Sequence, residues 1–340
     1  MNKNILCTGS AGFIGTNFIK YLFNLSEFKG KIVNLDKLTY AAQPDNLNDI
    51  KKIYSEEDYL FIKGDINDRD LIEHILYTHK IDIIVNFAAE SSVDKSLLDA
   101  NDFLNSNIIG VYNLLEACKT IWNENKKGYG NKLIIQVGTD ECFVQENLET
   151  SATETSAYNP HNIYAATKAS ADHIAMSYFH TYDMPISLIH MSNNYGLYQH
   201  NEKFIPTIIN NIINKKEIPI YGDGKNRRQW IFVEDACDAI WKIINKGTPG
   251  ESYNIGGNDE LNNLSVVQMI CDIYDELYPV SDMPPYNKGI HNIRFVKDRT
   301  GHDFRYNINC DKIKKELGWI PKTELVDGLK KTIKWYVENK

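Results

Sequence analysis

Short runs of consecutive apolar residues alternate, through the first half of the chain, with longer segments in which apolar residues return every three or four positions. "NILCTG", "KIVNLD", "DYLFIKGDI", "IDIIVNFAA" and "KLIIQVGT" read as strands. Each is apolar almost throughout rather than on alternate residues, the pattern of a strand covered on both faces. Between them, "FIGTNFIKYLFNL", "RDLIEHILYTHK" and "NDFLNSNIIGVYNLLEACKTI" have helical spacing, the last as one long helix. Such strands pair in parallel through right-handed helical crossovers, which predicts an α/β fold with a doubly wound parallel sheet. After about Met191 the rhythm loosens. Helical segments such as "KFIPTIINNIINKK", "VEDACDAIWKIINKG", "NLSVVQMICDIYDEL" and "DGLKKTIKWYVEN" mix with loops rich in Gly, Asn and Pro, and "YPVSDMPPYNKGIHN" reads as an exposed loop. The pattern predicts a nucleotide-binding lobe over 1–191 and a smaller, mixed α/β substrate-binding lobe mainly over 192–340, with parts of the later segments returning to the first.

Composition narrows the function classes. The 340 residues carry a net charge of -8, against the basic face that nucleic-acid backbones require. The start, "MNKNILCTGS", lacks the apolar core of a signal peptide. No stretch approaches the ~20 apolar residues of a membrane span. The cysteines, Cys7, Cys118, Cys142, Cys237, Cys271 and Cys310, are scattered, with no C-x-x-C pair and no metal-ligand spacing. They read as reduced thiols of a cytoplasmic protein without a metal. Cys142 has no neighbouring histidine to activate it as a nucleophile.

Three constellations carry chemistry. Gly9, Gly12 and Gly15 in "TGSAGFIG" follow the first strand and open the first helix. Glycines there permit a tight turn and close approach of the backbone to a pyrophosphate, which the free N–H groups of the helix start can bind. The first lobe is therefore read as a Rossmann-type dinucleotide-binding domain. Asp36 ends the second strand, about 20 residues past the last glycine, where a carboxylate binds ribose hydroxyls and disfavours a 2′-phosphate. That selects NAD over NADP, although Lys37 stands beside it. Asp65 ends the third strand within reach of the adenine. Tyr164 and Lys168 in "NIYAATKASADHI" share one helical face, so the lysine charge is expected to lower the phenol's pKa and make it a base. The fifth strand ends "LIIQVGTDECF", delivering Thr139, Asp140 and Glu141. Two adjacent acids raise each other's proton affinity where water is scarce.

Taken together, "TGSAGFIG", "NFAAESSVDKS", "GTDE", "YAATKASADH", "SNNYG", "YGDGKNRRQW", "YNIGG" and "RTGHDFRY" resemble the extended short-chain dehydrogenase/reductase superfamily. Within it they resemble the nucleotide-sugar 4,6-dehydratases of the dTDP-glucose type, over nearly the whole chain. The resemblance implies three steps on one bound hexose: oxidation at C4 with Tyr164 as base and NAD as acceptor, loss of water across C5 and C6, and return of the hydrogen to C6. Glu141 would take the C5 proton and Asp140 protonate the departing hydroxyl. Thr139 would hydrogen-bond the C4 oxygen, with Gly138 turning the chain so that both acids meet the sugar.

The resemblance also implies the remaining contacts. Phe13, Ile14, Asp65, Ile66, Phe87, Ala88, Ala89, Ser106 and Asn194 would line the NAD site with Lys168 holding the nicotinamide ribose. Ser91 and Asn193 would face the sugar. Lys203, Phe204, Pro219, Ile220 and Tyr221 would form the diphosphate and base pocket, Arg228 would clamp the diphosphate, and Asn254, Arg299 and His302 would close it. A homodimer through a four-helix bundle is implied, built from the segments around 101–122 and 162–182. Departures from the family pattern at Gly138, Cys142, Phe143, Val144, Ser92, Leu197, Gln229 and Thr300 leave UDP-glucose beside dTDP-glucose as donor. The rivals are a 4-epimerase or decarboxylase on the same scaffold, which use the Tyr-Lys pair without both acids, and a non-catalytic NAD-sensing regulator.

Overall fold

The computed structural model describes residues 3–123, 128–144, 149–279 and 293–339, so the expected loop over 278–292 lies outside the described residues from 280 onward. In chain order the strands are β1 (Ile5–Thr8), β2 (Ile32–Asp36), β3 (Tyr59–Lys63), β4 (Ile83–Asn86), β5 (Leu133–Thr139), β6 (Ile186–Met191), β7 (Asn193–Tyr195), β8 (Ile218–Tyr221), β9 (Arg227–Phe232), β10 (Ser252–Ile255), β11 (Asp259–Asn262), β12 (Ile293–Val296) and β13 (Arg305–Tyr306).

One parallel, 7-stranded sheet has the order β10-β6-β5-β4-β1-β2-β3. The pattern of apolar runs located β1 to β5; β6 and β10 extend the sheet beyond them. Alternate residues serve opposite faces. Ile5, Cys7, Ile83 and Val85 join one core with Phe18, Ile19 and Ile240, from the helices Phe13–Asn24 and Val233–Lys246. Leu6, Ile84 and Ile134 join the other with Ile72, Leu114 and Ala171, from the helices Arg69–Thr78, Gly110–Trp122 and Ile163–Tyr182. Each fully buried Leu or Ile in these layers contributes about 1.5–3 kcal/mol. The chain leaves β1 toward β2 and β3, then crosses to β4 on the other side. That reversal opens a crevice at the carboxyl ends of β1 and β4.

The later chain builds a second layer beside that crevice. Strand β9 pairs with β11 antiparallel and with β7 and β13 in parallel, while β8 pairs with β12. The helices Phe204–Ile213, Asn263–Leu277 and Leu325–Glu338 cover these strands around Ile208, Trp230, Val266 and Leu329.

Two expectations change. The long helix is interrupted: helix Asn101–Leu104 passes into a π turn, Asn105–Ile109, before Gly110–Trp122. A π turn adds a residue and re-aims its neighbours. Here Asn107 accepts the Glu90 N–H (2.9 Å) and donates to the Glu90 carbonyl (3.0 Å) and to Thr167 (2.9 Å), tying three segments together. Gly138, in turn, does not bend the chain. It lies within β5, in register with His190, and a Cβ there would stand 2.9 Å from the Ile189 carbonyl and 3.1 Å from Asp172 Oδ2. Its role is close packing; the turn comes after Thr139, whose hydroxyl accepts the Glu141 N–H (3.3 Å) to cap a short 3-10 turn over Asp140–Cys142.

Gly138→Ala should therefore destabilise the protein by about 1–3 kcal/mol, because the backbone it meets cannot move aside. Urea unfolding of the variant against wild type measures this, and an unchanged midpoint would refute the packing role.

Candidate active site

A cavity of about 720 Å³ runs along the carboxyl ends of the sheet and under the second layer. At one end the glycine turn shapes it. Gly9 has φ +65°, and a Cβ there would stand 2.5 Å from Ala88 Cα, so only glycine lets β1 and the chain after β4 approach. Gly12 caps the helix Phe13–Asn24 without a side-chain acceptor, leaving the first N–H groups of that helix directed to the cavity. The Asp36 carboxylate accepts the N–H of Ala11 (2.9 Å) and of Leu38 (2.8 Å), which fixes its plane at the cavity edge. Burial pushes its carboxyl up, against those two hydrogen bonds. Lys37 is not a free cation: it donates to Ser106 Oγ (3.0 Å) and lies 3.5 Å from Asp65. Backbone donors beside a held carboxylate fit the diphosphate and ribose hydroxyls of a dinucleotide, and the tied lysine offers no dedicated partner for a 2′-phosphate.

At the centre the two acids occupy different surroundings. Asp140 is 3 % exposed, and its Oδ2 has no hydrogen-bond partner among the described residues. Burial first, and then the neighbouring Glu141 carboxylate, push its carboxyl up to about 8, against Arg228 and Thr139. Asp140 is thus held as a neutral acid with an oxygen to offer. Glu141 is partly buried; its Oε2 accepts from Asn162 Nδ2 (3.2 Å) and approaches the Tyr306 hydroxyl at 3.4 Å. Asn162 also caps the helix that carries Tyr164 and Lys168, accepting the Ala165 N–H at 2.8 Å. One side chain therefore sets both the Glu141 carboxylate and the start of that helix.

Tyr164 and Lys168 share a face and line the cavity, but the lysine does not lower the phenol as expected. Burial and the Glu141 carboxylate hold the Tyr164 hydroxyl well above its ordinary value, with a hydrogen bond to Thr139 acting the other way. Lys168 donates to the Val137 carbonyl (2.6 Å), and burial pushes its ammonium down, against the Asp172 charge one turn further along the helix. Desolvation and the neighbouring acid thus decide the state of the phenol.

The other expected residues distribute as follows. Phe13, Ile14, Gly15, Ile66, Phe87, Ala89, Ser91, Asn193, Asn194, Phe204, Pro219, Tyr221, Arg299 and His302 line the cavity with those above. Lys203 lines it too and donates to the Ser91 carbonyl (2.9 Å), joining the two layers. Arg228 is buried, and three of its N–H bonds go to backbone carbonyls of Arg227, Asp303 and Phe304. Its guanidinium lies 4.4 Å from the Tyr306 ring. Two expected contacts fall outside. Ile220 points into the apolar core because β8 alternates, presenting Pro219 and Tyr221 to the cavity instead. Asn254 is fully buried on β10, donating to the carbonyls of Ala152 and Asn309 (3.1 Å each). Sequence reading missed Asn162 and Tyr306. An Asn just before a helix is a cap signal that pointed to the first; the second stood unassigned within "RTGHDFRY".

A dinucleotide cradle leading to a Tyr-Lys pair at a sheet switch point defines a short-chain dehydrogenase/reductase of the extended kind. The chain belongs to the dTDP-glucose 4,6-dehydratase family. Residues 6–332 match the GDP-mannose 4,6 dehydratase family model. A dTDP-glucose 4,6-dehydratase of Haemophilus influenzae is 42% identical, over 99% of this chain and 98% of its own. The crystal structure of the dTDP-glucose 4,6-dehydratase DesIV of Streptomyces venezuelae, with NAD and a second ligand bound, superposes with TM-score 0.87 at 35% identity, covering 99% of this chain and 97% of that one. The NAD complex of the Bacillus anthracis dTDP-glucose 4,6-dehydratase gives TM-score 0.84 at 39% identity, again over 99% and 97%.

The state of Asp140 predicts a pH dependence of stability. Burial and the Glu141 charge push its carboxyl up to about 8 in the folded chain, against the ordinary 3.8. Between those values the folded state holds a proton that the unfolded state has released, so this group's contribution is lost as pH rises, on the order of 6 kcal/mol across the whole window. Asp140→Asn should lack that fall. Unfolding free energies of wild type and variant across the window will show the variant gaining on wild type toward pH 8, and parallel curves would contradict the assignment.

Proposed function

We propose that this protein is an NAD-dependent nucleotide-sugar 4,6-dehydratase that converts dTDP-glucose to the 4-keto-6-deoxy sugar nucleotide. The observation that carries the reading is the pair Asp140 and Glu141: a buried neutral acid with an unpartnered oxygen, adjacent to an acid with hydrogen-bonded surroundings. Elimination of water needs one acid and one base in opposite protonation states. A 4-epimerase or a decarboxylase on this scaffold does not.

Bound across the cavity, NAD supplies the two-electron oxidation at C4 and the reduction at C6, and its positive charge favours the phenolate of Tyr164. The chain's own residues do the rest. Gly9, Gly12 and the start of the helix Phe13–Asn24 hold the diphosphate, Asp36 takes the adenosine ribose hydroxyls, and Lys168 holds the other ribose. Tyr164 takes the C4 hydroxyl proton, with Thr139 hydrogen-bonding the C4 oxygen. Glu141 removes the C5 proton, which the 4-ketone has acidified. Asp140 gives its proton to the C6 hydroxyl, which leaves as water. The C4 hydroxyl proton finally replaces the one Asp140 has spent, and C5 recovers a proton through Glu141; because the hydride taken from C4 is the one returned to C6, no reductant is consumed. Tyr221 and Arg299, with the guanidinium 5.7 Å from the ring, form the base and diphosphate end. UDP-glucose is the alternative donor.

Two copies pair through the helical segments around 101–122 and 162–182. Leu98 is 88 % exposed, and Leu104, Ile109, Tyr112 and Ile163 are exposed too, an apolar set that a symmetric partner would cover. Sedimentation should give a dimer for wild type and a shift toward monomer for Ile109→Asp; a monomeric wild type would remove this reading.

Incubation with dTDP-glucose, and separately with UDP-glucose, should yield loss of water by mass spectrometry and a C6 methyl by NMR. Asp140→Asn and Glu141→Gln should slow water loss roughly 10²–10⁴-fold. C4 oxidation, followed by absorbance of the reduced cofactor, should survive in both. Inversion at C4 without water loss would establish the epimerase reading instead.

A further inference from the structure

Glu141 is the inner end of a chain of hydrogen-bonding groups that reaches the surface. Its Oε2 lies 3.4 Å from the Tyr306 hydroxyl, and that hydroxyl is 2.5 Å from Asp303 Oδ2. The other oxygen of the same carboxylate, Oδ1, is 2.7 Å from His161 Nδ1. Tyr306 and Asp303 are buried, whereas the His161 side chain is 46 % exposed. The order is partly buried base, buried phenol, buried carboxylate and exposed imidazole, contributed by the turn Asp140–Cys142, β13, the segment before it, and the loop leading to Asn162.

The direction of each bond suits proton passage. A phenol has one proton to donate, and the short contact with Asp303 takes it. Toward Glu141 the phenol oxygen is then free to accept. It cannot be a donor to Glu141 at the same moment, and the Glu141 link is accordingly the longer of the two, 3.4 Å. Burial, with the Glu141 and Asp303 charges, keeps the phenol protonated, so Tyr306 can pass a proton only by accepting one and releasing another together. The Arg228 guanidinium on the face of the ring, bonded to the Asp303 carbonyl (2.9 Å), holds Tyr306 and Asp303 in place.

We propose that Tyr306, Asp303 and His161 form a proton relay that exchanges the hydrogen taken from C5 with solvent. The proposal rests on the dehydratase reading, in which Glu141 is the C5 base. The step balances without any redox partner. The C5–H bond breaks to Glu141, its O–H proton passes to the Tyr306 oxygen as the Tyr306 proton moves to Asp303 Oδ2, and a half-turn of the Asp303 carboxyl carries that proton to the unprotonated Nδ1 of His161. His161 releases a proton from Nε2 to water. The return passage runs the other way and delivers a solvent proton to C5, which leaves every group as it began. Tyr306, Asp303 and His161 do not touch the reacting carbon; they act through Glu141.

The test is turnover in D₂O, with early product trapped by borohydride and its C5 deuterium read by NMR, while water loss is measured in the same sample. Wild type should carry deuterium at C5 in most molecules formed. His161→Ala and Tyr306→Phe should each lower C5 deuterium per turnover at least about tenfold, because the proton then stays on Glu141 and returns to C5. Added imidazole should restore exchange in His161→Ala, which a merely structural loss would not allow. Deuterium content unaffected by either substitution, or protium at C5 in wild-type product, would overturn the relay. Absence of water loss in wild type would instead overturn the dehydratase reading, and the relay with it.

Discussion

A carboxyl group buried with one oxygen unpartnered costs free energy, and here that cost sits at the reacting centre. Asp140 tolerates it by remaining protonated, which the Glu141 charge beside it reinforces. Everything near it serves that condition. β5 runs to Thr139 as a fully buried strand, so the acids emerge where water is scarce. The short turn capped by Thr139 sends Asp140 inward while leaving Glu141 partly open to the cavity. The second layer covers both through Arg228 and Tyr306, so it is part of the electrostatics of the acids as well as of the substrate pocket.

The same arrangement explains why the Tyr-Lys pair is not poised by itself. A phenol that is desolvated and faces a carboxylate keeps its proton, whatever lysine stands a helical turn away.

Contacts between the layers make the cavity one site. Lys203 reaches the Ser91 carbonyl, Tyr40 donates to Glu202 (2.9 Å), Asn17 donates to the Leu197 carbonyl (2.9 Å), and Arg299 lies 3.7 Å from Asp94. Each joins a loop or helix of the seven-stranded layer to a segment after Met191. The buried polar ties resist separation most, since water cannot easily replace their partners.

The sequence alone determined what is local. Apolar runs located β1 to β5, because strands covered on both faces leave no polar alternation. The glycine turn was legible because backbone approach demands missing side chains, and the acids and the Tyr-Lys pair because their spacing is itself the chemistry. Only the tertiary structure decided what depends on neighbours distant in the chain. β10 joins the sheet from beyond residue 250, where no local pattern names its partner. Gly138 proved to be a packing residue because His190 and Asp172, far along the sequence, fill its space. Ile220 and Asn254 fell outside the cavity because strand facing is set by the core each strand covers. Tyr306 reaches Glu141 from 165 residues further along the chain and His161 joins it only through Asp303, and proton affinities followed burial, which no single segment specifies.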